Sequence, residues 1–471
     1  MESKLLRPLC QAVALALAAG GAHAATITVT DGGDANGAGT CTLRQAIVSA
    51  NNDSASGSSC VAGSGTDTIV FAPTLANTTI NLSDAGQLLI NSNVTLSGSG
   101  QTIDAQGYSR VLDVYNNSNT VASVTLSDLG LTGGSYGSPG AGLAIGSSGG
   151  VGAPTQRPKR NSPSAPTATG PNVTLNRVVI NNNTATSRAG GLYINNATVA
   201  INQSTVSGNT LNASGNYGAG GIYITGGSSV TITDSTISGN TASGAYDYLT
   251  GGIYVWNSTV TVTNSTISGN TAGGNDAAGG MSLANASGAI YDSTITGNSA
   301  ATANVVAGGI LVGAEETASL TLVNTILAGN TGTQADLGVY RSSNVIAQSN
   351  LLGTALSGSF TGNGNVFNDS PALGALANNG GPTLTMKPNP GSPALGAGNA
   401  ALIPAGVTTD QRGVGFTRVV NGSLDLGSVE AAAGAVAAAL TPTPALSTWA
   451  LGLLGGLLAL LGLRKRKRAN G

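Results

Sequence analysis

Hydrophobic and polar residues alternate in short segments that recur about every 30 residues between Val173 and Asn330. Each unit contains Gly-Gly-Ile-Tyr-Ile, Val-Thr-Ile-Thr and Ser-Thr-Ile-Ser-Gly-Asn, or close variants of them. Strict alternation predicts half-buried β-strands, in which Ile222 and Ile224 point inward and Tyr223 points outward. Three strands in each unit predict a coil in which every turn pairs with the next.

An asparagine closes each unit, and stacked asparagines can hydrogen-bond from turn to turn through their side-chain amides. We expect such a ladder, rather than a glycan-binding row, from Asn209, Asn240, Asn270, Asn298 and Asn330. The unit resembles the repeat of polymorphic outer-membrane proteins, with Ile237 where that repeat has phenylalanine, and more broadly resembles right-handed parallel β-helices. The resemblance implies a right-handed coil, which is also the usual hand of parallel crossovers. We assign residues 67–340 to a single-stranded right-handed parallel β-helix, an all-β solenoid.

The start of the chain predicts export and a cap for the coil. Residues 1–24 combine a basic start, an apolar stretch and Ala-His-Ala, typical of a signal peptide cleaved between Ala24 and Ala25. Within residues 25–66, Cys41 and Cys60 predict a disulfide rather than two free thiols, because exported proteins reach an oxidising compartment. Thr42 and the spacing of apolar residues after it predict a short helix over the open end of the coil. This stretch resembles the CSLREA domain of exported repeat proteins.

Two segments depart from the repeat. The Pro-rich stretch 149–171 predicts an extruded loop, whose basic run from Arg157 to Arg160 is either a protease or polyanion site or a solvated surface. Residues 341–430 resemble the choice-of-anchor Q domain of surface β-helix proteins, through motifs such as Asn-Asn-Gly-Gly-Pro and Asp-Gln-Arg-Gly, and are predicted to form a C-terminal cap. Its charged residues form either a metal or ligand site or a set of ion pairs: Asp410, Arg412, Arg418, Asp425 and Glu430.

The end of the chain predicts membrane attachment. Residues 431–444 form a linker, and residues 445–471 contain an apolar stretch of about 18 residues, enough for a transmembrane helix. A basic cluster after it is expected to stay in the cytoplasm: Arg464, Lys465, Arg466, Lys467 and Arg468. The segment resembles the IPTL-CTERM sorting segment at Pro444, Leu446, Ser447 and Trp449.

The sorting resemblance implies a partner and a location. It implies recognition by a membrane-embedded sorting protease and delivery to the surface or extracellular matrix of a Gram-negative bacterium. Attachment to the inner membrane is then at least transient. The alternative is a permanent single-span anchor that is never processed.

Composition restricts the chemistry. Signal cleavage removes His23, the only histidine, which excludes histidine bases and histidine metal ligands. The net charge of −2 argues against nucleic-acid binding. In the repeats, Asp234 and Asp292 fall two turns apart, too far to hold one calcium ion together. We therefore expect no catalytic site, no metal and no cofactor.

Three functions fit these features. The preferred one is a cell-surface-anchored β-helix, structural or adhesin-like, that binds cell-surface polysaccharide or a matrix protein through its outward loops. The aromatic residues of those loops suit such contacts: Tyr217, Tyr246, Tyr248 and Trp256. The alternative is a polysaccharide lyase or hydrolase of the pectate-lyase-like β-helix superfamily. The third is a passive surface-layer or matrix component without a specific ligand.

Overall fold

A computed structural model describes residues 24–34, 39–56, 59–116, 121–137, 139–146, 169–301 and 307–431. The described chain is mainly a parallel β-helix, because the strands of each turn pair in parallel register with those of the next. Most of the predicted signal peptide, most of the Pro-rich loop and the whole sorting segment lie outside these residues. So do the sorting-motif residues, the basic cluster and the predicted transmembrane helix. In the described part of the chain, no helix is long and apolar enough to cross a membrane.

The largest sheet, sheet 1, joins the Val-Thr-Ile-Thr and Ser-Thr-Ile-Ser segments of successive turns. In the earliest full turns these two segments form one long bent strand, with a register shift between Ser97 and Gln101. Its strands are Thr26–Val29, Asp67–Phe71, Thr79–Asn81, Val94–Asp104, Ser123–Thr132, Asn172–Asn176, Val179–Asn181, Thr198–Asn202, Thr205–Ser207, Ser229–Thr233, Thr236–Ser238, Thr259–Thr263, Thr266–Ser268, Ser287–Tyr291, Thr294–Thr296, Ser319–Val323, Ile326–Leu327, Asn344–Gln348, Leu351–Leu352 and Val366–Phe367.

Sheet 2 contains the strands that follow the double glycines. Its strands are Leu88–Ile90, Leu112–Val114, Leu143–Ile145, Leu192–Asn195, Ile222–Thr225, Ile253–Trp256, Met281–Ala284, Ile310–Val312, Leu337–Val339 and Leu356–Ser357. Sheet 3 was not predicted, because it begins directly after each closing asparagine, where the sequence suggested a loop. Its strands are Ser135–Tyr136, Thr184–Ala185, Thr210–Asn212, Thr241–Ser243, Thr271–Gly273 and Ser299–Ala301. Gly218–Ala219 and Leu249–Thr250 form a further short pair.

The lumen of the coil is a core of aliphatic side chains. Alternate residues of each strand point inward, so that Ile222, Ile224, Val230, Ile232 and Ile237 are all at most 2% exposed. Each inward residue stacks on the equivalent residue of the next turn, as Ile232 does on Val262. Single turns bury little apolar surface alone, so stability comes from this stacking between neighbours.

The closing asparagines form a continuous ladder inside the coil. The side-chain amide of Asn240 donates to Oδ1 of Asn270 at 2.9 Å and to the carbonyl of Val206 at 2.9 Å. Oδ1 of Asn240 accepts from both the backbone and the side-chain N–H of Asn209. The same pattern runs on to Asn298 and Asn330, whose amide finally donates to Oδ1 of Asp336. Buried amides are thereby satisfied without water.

The double glycines make room for the ladder. A Cβ at Gly221 would lie 2.6 Å from the carbonyl oxygen of Gly252 and 3.1 Å from Nδ2 of Asn240. Gly252 and Gly280 meet the same two neighbours in their own turns. Glycine is therefore required here for close approach between turns, and not for a left-handed backbone conformation.

The helix Leu43–Asn52 covers the first turn of the coil. Thr42 and Gln45 form a reciprocal capping box, and the helix buries Leu43, Ala46, Ile47 and Ala50. Arg44 ties the helix to the coil by donating to the carbonyls of Gly86 and Gln87. The disulfide between Cys41 and Cys60 is confirmed. Two short 3₁₀ helices, Pro73–Leu75 and Ala400–Leu402, complete the helical elements of the described residues.

The direction of the amide ladder predicts an asymmetric response to substitution. In Asn270→Asp, an oxygen replaces the donor that faces two acceptors, Oδ1 of Asn298 and the carbonyl of Ile237. We expect a loss of about 3 kcal/mol or more in the free energy of unfolding, since two buried partners lose their donor. Asp336→Asn should lose about 1 kcal/mol or less, because Oδ1 there only accepts from the ladder. Urea unfolding followed by circular dichroism measures both; equal losses would contradict a directional ladder.

Candidate ligand-binding site

The outward tyrosines of sheet 2 stack in register. Tyr193, Tyr223 and Tyr254 occupy the same position in three successive strands. Their ring centroids are 5.8 Å and 5.1 Å apart. Tyr223 points away from the lumen, as predicted, yet it is only 1% exposed because a second apolar cluster covers it, which includes Ala219 and Ala278. These tyrosines are packing residues.

A second aromatic group lies over this layer and reaches the surface. Tyr217, Tyr248 and Trp256 are half-buried, with Tyr217 stacked on both of the others, and we call them the aromatic patch. Tyr217 and Tyr248 lie 5.2 Å apart with ring planes 3° from parallel, and Trp256 lies 6.2 Å from Tyr217. At 5.2 Å parallel rings are offset, so part of each ring face is left uncovered by the other.

Backbone conformation positions the patch. Tyr217 and Tyr248 both have positive φ, 69° and 60°, just before the short strands Gly218–Ala219 and Leu249–Thr250. A left-handed φ is rare for a bulky aromatic residue and marks a position that its surroundings hold in place. Tyr246, in the same loop, is 38% exposed.

Polar groups border and underlie the patch. Oη of Tyr217 donates to Oε1 of Glu315 at 3.1 Å. The guanidinium of Arg188 lies 5.9 Å from the ring centroid of Tyr217. Nε1 of Trp256 and Oη of Tyr254 are buried without a hydrogen-bond partner among the described residues. Native proteins leave few such groups unpaired, and they often occur at functional sites.

Most of the predicted C-terminal cap, residues 341–430, packs along the side of the coil, whereas its first part extends the coil with strands such as Asn344–Gln348 and Val366–Phe367. Residues 371–431, which we call the clasp, have little regular structure and cover the outer face of sheet 1. The amide of Gln411 accepts from Thr266 and donates to Thr236. Ser428 shares hydrogen bonds with Thr266 and Thr294. Three threonines that the repeat pattern predicts to face outward are thereby buried, at most 1% exposed.

The charged residues of the clasp form buried ion pairs. Arg412 makes a bidentate contact with Asp410. Arg418 contacts Asp292 of the coil at 3.3 Å and Glu430 at 3.4 Å, with all three side chains at most 2% exposed. Asp425 accepts the backbone N–H groups of Gly396 and Ala431. The structure favours the ion-pair interpretation of this cluster over a ligand site.

Arg418 of the clasp faces two buried carboxylates, Asp292 and Glu430, so the positive and negative charges do not cancel. Burial raises the pKa of Glu430 to about 8, although Arg418 opposes the shift. Burial likewise raises the pKa of Asp292, against the attraction of Arg418. Burial also raises the pKa of Asp234 to about 6, opposed by a hydrogen bond from Asn264. In all three carboxyl groups the loss of hydration on burial is the largest cause of the raised pKa, and the neighbouring cation or amide offsets it only in part.

Asp234 and Asp292 occupy equivalent turn positions, as predicted. They follow Thr233 and Tyr291, which align two turns apart through Thr263. Both have left-handed φ values, 52° and 48°, and Asp and Asn tolerate this conformation better than most residues. Their side chains contact different partners, Asn264 and Arg418, so they do not form one site.

A groove beyond the clasp is a second surface feature. It has a volume of about 420 Å³ and is lined by Gly100, Thr102, Asp128, Leu129, Gly130, Thr132, Arg177, Val179 and Asn181. Its carboxylate, Asp128, makes an exposed bidentate pair with Arg177. An exposed pair of this kind contributes little energy, and it satisfies the carboxylate. This groove was not predicted from the sequence, because its residues come from different turns.

Matches to two family models support the β-helix fold and the C-terminal sorting segment. Residues 167–389 match the family described as right handed beta helix region, which confirms the predicted handedness. Residues 441–468 match the IPTL-CTERM motif, as predicted. No curated protein matches the chain. Among solved structures, the crystal structure of pectate lyase Pel9A aligns with a TM-score of 0.46 and 15% identity, covering 87% of this chain and 97% of that chain.

The raised pKa of Glu430 predicts a pH-dependent clasp. The carboxyl titrates near 4.5 in the unfolded chain and near 8 in the folded one. Its stabilising contribution is therefore complete below about pH 4.5 and is lost as the pH rises through about 8. We therefore expect the melting temperature to fall between pH 6 and pH 9. The Glu430→Gln variant should show a smaller fall, because glutamine does not titrate and still accepts a hydrogen bond from the backbone N–H of Asp425.

The matched control for this test is Asp84→Asn, which neutralises an exposed acid remote from the clasp. It should leave the pH dependence of the melting temperature as in the wild type. A Glu430→Gln profile that superimposes on the wild-type profile would show that Glu430 does not titrate in this range.

Proposed function

We propose that this protein is an exported, surface-anchored β-helix of the adhesin-like kind, which binds a glycan through its aromatic patch. The β-helix fold and the IPTL-CTERM motif suggest a surface protein. The observation that carries the binding proposal is the parallel stack of Tyr217, Tyr248 and Trp256 on the outer surface. The stacked tyrosines and alanines beneath it provide a rigid support.

A glycan suits this patch better than a protein partner does. Sugar rings present flat C–H faces that pack on aromatic rings, while their hydroxyl groups pair with polar groups at the ring edges. The patch offers both features within one small area, since Glu315 and Arg188 border the rings. Stable protein interfaces need a larger contiguous surface, about 800 Å² on each partner.

The tail supports attachment to a membrane and subsequent sorting. We propose that a membrane-embedded protease recognises the matched segment 441–468 and removes or exchanges it during delivery to the surface of a Gram-negative cell. The apolar stretch then anchors the chain in the inner membrane only in transit. The clasp ends at residue 431, ten positions before this segment begins, so processing leaves the buried ion pairs of the clasp intact.

The aromatic patch is tested by single substitutions in the full chain. Tyr248→Ala and Trp256→Ala should each weaken binding on a glycan array by about fivefold or more, since truncating an aromatic anchor costs over 1 kcal/mol. Tyr108→Ala serves as the control, because Tyr108 is 67% exposed in a distant turn. Melting temperatures show whether each variant is folded. Unchanged binding in folded patch variants would refute the proposed site.

Processing of the tail is tested by mass spectrometry of protein recovered from the cell surface. We expect peptides from the coil and the clasp, and none that spans Trp449 to Arg468. Replacing Pro444 and Trp449 by alanine should leave the tail uncleaved and the protein in the inner-membrane fraction. An intact tail peptide in wild-type surface material would instead establish a permanent anchor.

A further inference from the structure

One turn beyond Tyr248, the column of Tyr217 and Tyr248 contains a carboxylate in place of an aromatic ring. Gly218 aligns with Leu249, and Thr250 aligns with Ala278, so Tyr217, Tyr248 and Asp276 hold equivalent positions in successive turns. All three have left-handed φ, and successive turns lie about 4.8 Å apart. Asp276 is half-buried. A carboxylate therefore lies beside the ring of Tyr248, at the height where the next aromatic of the column would be.

A second carboxylate enters the patch from a distant loop. Strand Ile310–Val312 continues its pairing with the previous turn through Gly313, which donates to the carbonyl of Leu283, and the loop that follows extends toward Tyr217. This loop brings Glu315 to the hydroxyl of Tyr217, 98 positions away in the sequence. The aromatic rings and this carboxylate thus share one surface.

Three carboxylates and two guanidiniums surround the patch. Burial raises the pKa of Tyr248, and the charges of Asp276, Glu315 and Asp247 raise it further, while Arg341 alone among the cations opposes them. Arg188 lies at the other end of the column, over Tyr217 and Tyr223. Three carboxylates and one guanidinium therefore act on the ring of Tyr248, and Arg188 adds a second guanidinium at the Tyr217 end of the patch.

We propose that the aromatic patch selects glycans that carry protonated amines, such as polymers of de-N-acetylated amino sugars. This inference rests on the proposed glycan-binding function. Aromatic faces attract cations through the ring quadrupole, and Asp276 and Glu315 add direct charge attraction at the same place. Uronic-acid polymers carry a carboxylate on each sugar, which the acids of the patch repel.

Three oligosaccharides of equal length separate the possibilities: the β-1,4-linked hexamers of glucosamine and of N-acetylglucosamine, and hexagalacturonate. Calorimetric titration of the full chain should show the glucosamine hexamer binding about tenfold more tightly than its acetylated counterpart. Its affinity should fall as salt is raised, because salt screens exposed charges. Hexagalacturonate should not bind measurably.

Substitutions assign the selectivity to the carboxylate. Asp276→Asn should weaken binding of the glucosamine hexamer about three- to tenfold and leave the acetylated hexamer unchanged. Asp84→Asn, an equal change of net charge at a remote exposed site, should change neither. Selectivity that survives in a folded Asp276→Asn variant would overturn the role of this residue.

The outcomes for the two proposals are distinct. The amine selectivity would be overturned if both glucosamine-based hexamers bound equally, or if hexagalacturonate bound more tightly. If Trp256→Ala abolished that binding, the glycan site itself would still be supported. Binding that Trp256→Ala and Tyr248→Ala leave unchanged would refute the site itself. Loss of binding in these two variants, together with the predicted preference for the glucosamine hexamer, would support both proposals.

Discussion

The one-way chain of side-chain amides inside the coil is the constraint on which the rest of the structure depends. Each ladder asparagine accepts from the turn before it and donates to the turn after it, so the register between turns cannot shift without orphaning buried donors and acceptors. The ladder also explains the double glycines, since Gly221 and Gly252 lie against it and against the next turn. These positions therefore tolerate few substitutions, whereas the outward-facing positions of the coil tolerate more.

Fixed register gives every outward side chain a fixed neighbour one turn away. The turn column that contains Asp234 and Asp292 shows the consequence, because its members share a left-handed backbone that favours Asn and Asp. The turn conformation alone therefore explains why acidic residues occur at these positions. The clasp then uses one of them, Asp292, as the partner of Arg418. A single arginine between two buried carboxylates contributes specificity of docking more than stability, since desolvation opposes the attraction.

The repeat and the closing asparagines were sufficient to predict the coil, its lumen and the direction of Tyr223, because periodicity reports directly on inward and outward faces. Periodicity could not predict the clasp, which consists of irregular loops held by Gln411 and Ser428 against ordinary-looking strand threonines. The patch was predicted only in part. Its aromatic residues stood out in the sequence, whereas the approach of Glu315 to Tyr217 depends on how a loop from three turns away extends toward it.

The clasp and the patch divide the outer surface of the same turns between them. The clasp buries Thr236, Thr266 and Thr294 of sheet 1, which removes that face from contact with a ligand. On the side of sheet 2, the same turns keep an aromatic stack at the surface, in which Tyr217 lies against Tyr248 and Trp256. A coil with a constrained interior can therefore acquire a binding function by changing only exposed residues on one side. In the proposed site, the acids beside the rings would select the ligand without any change to the ladder.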